Sequence, residues 1–223
     1  MGKLIVFEGT DGSGKSTQFD LLTRRLEEAR TAFHKLRFPQ YEEPSSALIR
    51  MYLGGAFGDD PEAVNAYAAS TFYAVDRYAS YQRVWKDYYR EGGLVLSDRY
   101  TTSNAVHQGS KVPEGERADF FRWLYDLEYD RMGLPRPDLV ILLDMPVELS
   151  EQLMRKREQS TGTHAEIHER DEDYLKKCRD VALHAADYYG WRTVSCAKGG
   201  AIRSVEDIHE EVYAIVKRCL EER

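Results

Sequence analysis

Short, largely apolar runs alternate along the chain with longer stretches whose apolar residues recur at helical spacing. Leu4 to Phe7 is the first such run, and Lys3 to Glu8 is expected to form a buried strand. From Lys15 to Ala29, Phe19, Leu22 and Leu26 share one helical face, and Arg24, Arg25, Glu27 and Glu28 form the solvated one. Ala32 to Phe38 reads as a second strand, stopped by Pro39. Pro44 to Leu53 looks helical, GGAFGDD punctuates, and Asp60 is placed to cap a long helix that opens at Pro61 and reaches about Arg90. Gly92 and Gly93 end that helix. Strands follow at Leu94 to Ser97, Asp138 to Asp144 and Arg192 to Cys196, and helices at Asp119 to Tyr129, Glu148 to Arg157, Asp171 to Tyr189 and Val205 to Leu220. Buried strands alternating with helices predict an α/β fold, a five-stranded parallel sheet with helices on both faces.

The turn between the first strand and the first helix carries chemistry. Gly9 to Ser16 fits the phosphate-binding pattern GxxxxGK[ST]. Gly9, Gly12 and Gly14 let the backbone turn tightly, so that N–H groups face an anion at the start of a helix. Lys15 can reach the terminal phosphates, and the Ser16 hydroxyl can hold Mg²⁺. Asp11 lies inside this loop, where a carboxylate is repelled by triphosphate unless it is aimed elsewhere, at a sugar hydroxyl of a second substrate or at bracing the loop.

Strand ends supply the next candidates, because an open α/β sheet keeps its ligands at the carboxyl edge. Arg37 and Phe38 close the second strand, and Asp98 and Arg99 the third. Asp98 either holds Mg²⁺ through water or caps the loop after the strand. Tyr73 and Arg77 are four apart and share a helix face, which offers an aromatic surface and a donor to a base, or core packing. Arg155, Arg157 and Arg170 border a polar segment, EQSTGTHAEIHERDED, with the composition of a lid at about residues 155–172. His164 and His168 within it are four apart, but no third metal ligand accompanies them.

Composition narrows the classes. A net charge of −7 argues against a general nucleic-acid binder. Cys178, Cys196 and Cys219 are odd in number and lack CxxC spacing, so neither a disulfide framework nor a cysteine zinc site is indicated. With no leader-like segment and no apolar run near the ~18 residues of a membrane helix, a soluble cytoplasmic protein without membrane contact is expected. A length of 223 residues suits a single domain over residues 1–223.

FEGTDGSGKST, RFPQY, FYAVDRY, DRYTTSNAV and LPRPDLVILLD, in that order over nearly the whole chain, resemble the successive motifs of thymidylate kinases. The resemblance implies the P-loop NTPase fold and transfer of the γ-phosphoryl of ATP to dTMP, giving dTDP for dTTP biosynthesis, with Mg²⁺, in a homodimer built on long helices. Carried onto this chain, it makes Gly9, Thr10, Gly12, Ser13, Gly14, Lys15, Ser16 and Thr17, with Arg155 and Arg157, the ATP site. Asp11 would receive the 3′-hydroxyl, Arg99 the dTMP phosphate with Arg37 and Phe38, and Tyr73 would stack on thymine. Arg77 would meet O4, and Ser103 and Asn104 lie near the base and its N3. Lys15, Arg99 and Arg157 would be catalytic, and Ser16 and Asp98 would serve the metal.

Two departures stand out. The family often has phenylalanine at the stacking position, and here Phe72 and Tyr73 stand side by side; the spacing to Arg77 favours Tyr73, with Phe72 as the alternative. Gly12 stands where some members carry a catalytic arginine; the loop resembles members that bring arginine from the lid, yet of their RxxxR spacing only Arg155 is kept, with Gln159 in the second place. A kinase for another nucleoside or nucleoside monophosphate, and a nucleotide-dependent switch without acceptor turnover, are the alternatives. No NKxD-type guanine-reading segment supports the switch.

Overall fold

Leu4, Ile5, Val6 and Phe7 are fully buried in β1 (Lys3–Glu8), as an unbroken apolar run in a parallel sheet requires. This computed structural model describes residues 1–58, 60, 63–161 and 172–222, without the side chains of residues 156–161 and 172. β1, β2 (His34–Arg37), β3 (Leu94–Asp98), β4 (Leu139–Asp144) and β5 (Arg192–Ser195) form a five-stranded sheet in the order β2-β3-β1-β4-β5. The predicted parallel α/β architecture is the one observed. The chain divides into two compact units, Met1–Val6 with Phe33–Asp138, and Phe7–Ala32 with Leu139–Arg223.

In the first unit, β2 pairs with β3 in parallel, and the register sets Arg37 beside Asp98. Helices α2 (Ala47–Leu53), α3 (Ala66–Ser80), α4 (Lys86–Arg90), α5 (Thr101–His107) and α6 (Arg117–Tyr125) accompany them. Between α3 and α4 the backbone widens into a π-helical turn, Tyr81–Trp85. Trp85 is fully buried there, with ring centroids of Tyr81, Tyr89 and Tyr100 at 4.7, 5.9 and 6.4 Å. A second π-helical segment, Asp126–Arg131, continues α6.

In the second unit, β4 and β5 pair in parallel, with Asp144 opposite Ser195. Helices α1 (Lys15–Glu28), α7 (Val147–Thr161), α8 (Glu172–Tyr189) and α9 (Val205–Glu221) belong to it. Phe7 meets Phe19 edge to face at 5.4 Å, and the Gln18 side-chain amide donates to the Val205 carbonyl at 2.9 Å. Ser204 caps α9 by accepting from the Asp207 N–H at 3.1 Å.

The structure corrects several expected boundaries. The long helix starts at Ala66, where Asn65 accepts from the Ala68 N–H at 2.9 Å and supplies the cap expected of Asp60; the expected first residue, Pro61, lies outside the described residues. Thr101–His107 is a helix to which the sequence pattern had assigned no element. After β5, the strands β6 (Ala197–Lys198) and β7 (Ala201–Ile202) form a hairpin whose turn, Gly199–Gly200, has both φ angles positive.

Candidate active site

The phosphate loop starts where β1 ends. Buried Glu8 accepts from the Gly9 N–H at 3.0 Å, and the Ser13 N–H donates to the Thr10 carbonyl at 3.1 Å, which closes the turn. Gly14, at φ 82°, is the N-cap of α1 and leaves the helix without a side-chain cap. The N–H groups at the start of α1 are therefore available to an anion. Lys15 is buried to 9% exposure, while Ser16 and Thr17 on the first helical turn are exposed. A Cβ at Gly9 would lie 2.6 Å from the Ser13 hydroxyl. Gly12, at φ 75°, is packed against α7: a Cβ there would lie 2.8 Å from the Ser150 carbonyl oxygen and 2.9 Å from Met154 Cγ. No arginine fits this position, which gives the departure noted in the sequence a steric cause.

Ser16 offers a hard oxygen on an exposed turn. Among the described residues no three His, Cys, Asp or Glu side chains gather into a metal cluster. A divalent ion here would take most of its ligands from phosphate oxygens and water, which is how Mg²⁺ binds in phosphoryl-transfer sites, and an exposed hydroxyl such as that of Ser16 fits it. Asp98, buried in the other unit, accepts from Arg37 Nε at 3.0 Å. Also in the second unit, Arg179 forks onto Asp144 at 2.7 and 3.1 Å, a pair that the sequence reading did not single out.

In the first unit a cluster forms around the end of β3. Arg99 has φ 68°, the left-handed region that a non-glycine residue occupies at a cost of about 1 kcal/mol. The Ser97 hydroxyl donates to its carbonyl at 2.6 Å, and its Nη1 lies 3.3 Å from the Ser103 hydroxyl and 2.9 Å from His107 Nε2. His107 was missed in the sequence, although Arg99, Ser103 and His107 recur every four residues into α5. Phe38 is buried with its ring 6.0 Å from that of Tyr100. Asp76 on α3 accepts from the Gln40 N–H at 2.9 Å and the Ser45 hydroxyl at 2.6 Å, so it ties down the loop that follows Phe38.

Tyr73 is half-buried; burial first, then Tyr41 and Tyr52, push its phenol up, against the opposing fields of Arg77 and Arg99. Phe72 instead packs its ring at 6.3 Å from Tyr52 and 5.8 Å from Phe57. Arg77 is buried and sends Nε and Nη2 to the two oxygens of Glu128. Burial works against its charge, but Glu128 outweighs burial and holds the guanidinium pKa above its ordinary value. Asn104 Nδ2 donates to the Ser70 carbonyl at 3.1 Å and to Glu128 Oε1 at 3.3 Å. Glu128 was also missed: nothing in YDLEYD distinguishes it from the acidic residues of a solvated helix face.

Of the lid arginines, Arg155 is 75% exposed and lies 3.4 Å from Glu151. The side chains of Arg157 and Gln159, and all of Arg170, His164 and His168, lie outside the described residues.

The family description "Thymidylate kinase" matches residues 7–212. Among curated proteins, the chain is 32% identical over 190 residues to a thymidylate kinase of Mycobacterium tuberculosis, covering 84% of this chain and 87% of the relative. It is 32% identical over 221 residues to a probable thymidylate kinase of Thermococcus onnurineus, covering 98% of this chain and 99% of the relative. Among solved structures, the thymidylate kinase of Candida albicans superposes with a TM-score of 0.71 at 22% identity, over 97% of this chain and 92% of that one; at this identity the likeness concerns the fold.

Proposed function

The chain belongs to the thymidylate kinase family and is an ATP-dependent phosphotransferase that converts dTMP to dTDP, and we propose a division of labour among its residues. Gly9, Thr10, Gly12, Ser13, Gly14, Lys15, Ser16 and Thr17 hold the phosphates of ATP through backbone N–H groups, the Lys15 ammonium and a hydroxyl at the start of α1. Ser16 and Asp98 would hold Mg²⁺, which would supply positive charge to the phosphates of ATP. Arg99, supported by Arg37 and Phe38, fixes the dTMP phosphate. Tyr73 stacks on thymine, Arg77 donates to O4, Asn104 reads N3–H, Ser103 lies beside the base, and Asp11 accepts from the 3′-hydroxyl. An arginine from α7 or the segment after it, Arg155 or Arg157, completes charge stabilisation at the transferring phosphoryl group.

The observation that carries the acceptor side is Arg99, held in a left-handed conformation with its guanidinium set by Ser103 and His107. A residue kept in such a conformation at a strand's carboxyl end points to a ligand position. The test offers purified protein with ATP and Mg²⁺ a panel of nucleoside monophosphates. dTDP is the expected product, and consumption of another monophosphate with none of dTMP overturns the reading.

The proposed organisation is one kinase domain over residues 1–223 with a lid at about residues 155–172. A homodimer is proposed on the apolar side chains that α3 and the turn after it leave exposed, Val75 at 48%, Tyr78 at 39% and Val84 at 56%. Sedimentation analysis checks it, with a monomer at micromolar concentration as the contrary result. Among the described residues no helix is long and apolar enough to cross a membrane, and a cytoplasmic setting without nucleic-acid partners is proposed.

A further inference from the structure

Glu128 has no part in the roles above, since a fully buried carboxylate with four protein hydrogen bonds has nothing left to offer a substrate. Its partners are nevertheless telling. Arg77 on α3 gives it two nitrogens, Thr101 on α5 donates its hydroxyl at 2.7 Å, and Asn104 on α5 donates Nδ2 at 3.3 Å. Two residues from different helices, both assigned to reading the base, thus converge on one carboxylate. That carboxylate sits on the π-helical segment Asp126–Arg131, a type of backbone irregularity that recurs at functional sites.

The chemistry of the partners fixes polarity. A carboxylate and the Ser70 carbonyl only accept hydrogen bonds, so the Asn104 amide must point its NH₂ at them and turn its Oδ1 the other way. With Nε and Nη2 of Arg77 committed to Glu128, Nη1 is the arm with no partner among the described residues. One donor and one acceptor remain. Thymine presents the complement, a carbonyl at C4 next to an N–H at N3, while cytosine presents an amino group next to an unprotonated ring nitrogen, the reverse order.

We propose that Glu128 is a positioning residue that sets base selectivity by orienting Arg77 and Asn104, so that a 4-carbonyl pyrimidine is accepted and a 4-amino pyrimidine refused. The proposal rests on the dTMP reading above. Without the negative charge, Asn104 keeps only the Ser70 carbonyl as a firm acceptor and Arg77 loses its ion-pair partner, so both groups are held less tightly and selectivity between the two pyrimidines falls even where the fold survives.

The test is Glu128→Gln in the full chain, with steady-state kinetics on dTMP and dCMP. The KM for dTMP is expected to rise about tenfold or more, the ratio of kcat/KM for dTMP over dCMP to drop by about tenfold or more, and the KM for ATP to stay within about twofold. A selectivity ratio equal to that of the unaltered protein, whatever the melting temperature does, overturns the proposal. If Glu128→Gln gives no cooperative melt, Thr101→Val, which removes only the hydroxyl donor to the same carboxylate, is read instead. Its KM for dTMP is expected to rise about threefold with kcat nearly held, and an unchanged KM overturns the role. Failure of the unaltered protein to form dTDP removes the functional reading and this inference with it. Turnover of dTMP by the unaltered protein together with full selectivity in Glu128→Gln removes only the role of Glu128.

Discussion

In the unit that holds Arg99, polar and charged groups are held by other side chains: Arg77, Thr101 and Asn104 by Glu128, Arg37 by Asp98, and Arg99 by Ser103 and His107. In the unit that holds the phosphate loop, the shape is made by backbone, with Gly12 and Gly14 at positive φ and the start of α1 without a side-chain cap. The difference matches the division of labour proposed for the two units. A triphosphate is read by N–H groups that any residue supplies, so the loop depends on where side chains are missing. A particular base and sugar phosphate must be read by directional groups, which are preset by their hydrogen-bond partners.

This contrast can be tested at four points, from the largest effect to the smallest. Chelation with EDTA should lower turnover by more than about a thousandfold while changing dTMP affinity, read by calorimetry, by less than about twofold. An equal loss of both would mean that the two recognition schemes are not separable. Arg99→Ala should lower kcat/KM for dTMP by about a hundredfold or more, roughly 3 kcal/mol, and leave ATP affinity unchanged. Arg99→Gly should lose as much activity yet melt higher than Arg99→Ala, by about 1 kcal/mol, because glycine adopts the left-handed φ of 68° without strain. Gly12→Arg should destabilise the protein by about 3 kcal/mol in urea unfolding, through both the positive φ and the contact with Ser150. Wild-type stability in that variant would mean that α7 yields easily. His107→Ala should raise the KM for dTMP several-fold, about 1 kcal/mol, with kcat little changed, since it removes one of the groups that aim Arg99.

What the sequence revealed follows the same division. The phosphate loop, β1 and the opening of α1 at Lys15 were legible because glycine spacing and an apolar run are local signals. The order of strands and helices was legible for the same reason. The helix at Thr101–His107 was not, because its first turn, Thr-Thr-Ser-Asn, has loop composition and only tertiary burial of Thr101, Thr102 and Asn104 makes it helical. The two π-helical segments left no trace, since one extra residue in a turn changes neither composition nor the coarse period. Arg77 was found by its spacing from Tyr73, but its partner Glu128 lies 51 residues away, and a long-range ion pair has no local signature. Asp60 and Asn65 are both good caps, and the choice between them depended on packing that the sequence does not display.

The contact of Gly12 with α7 bears also on how such enzymes diverge. With a backbone carbonyl 2.8 Å from any Cβ at that position, no single substitution can install an arginine in the loop while α7 stays where it is. Helix and loop would have to change together, and each half of that exchange alone disturbs the fold. One small glycine contact thus ties the residue type at this point of the phosphate loop to the placement of a neighbouring helix.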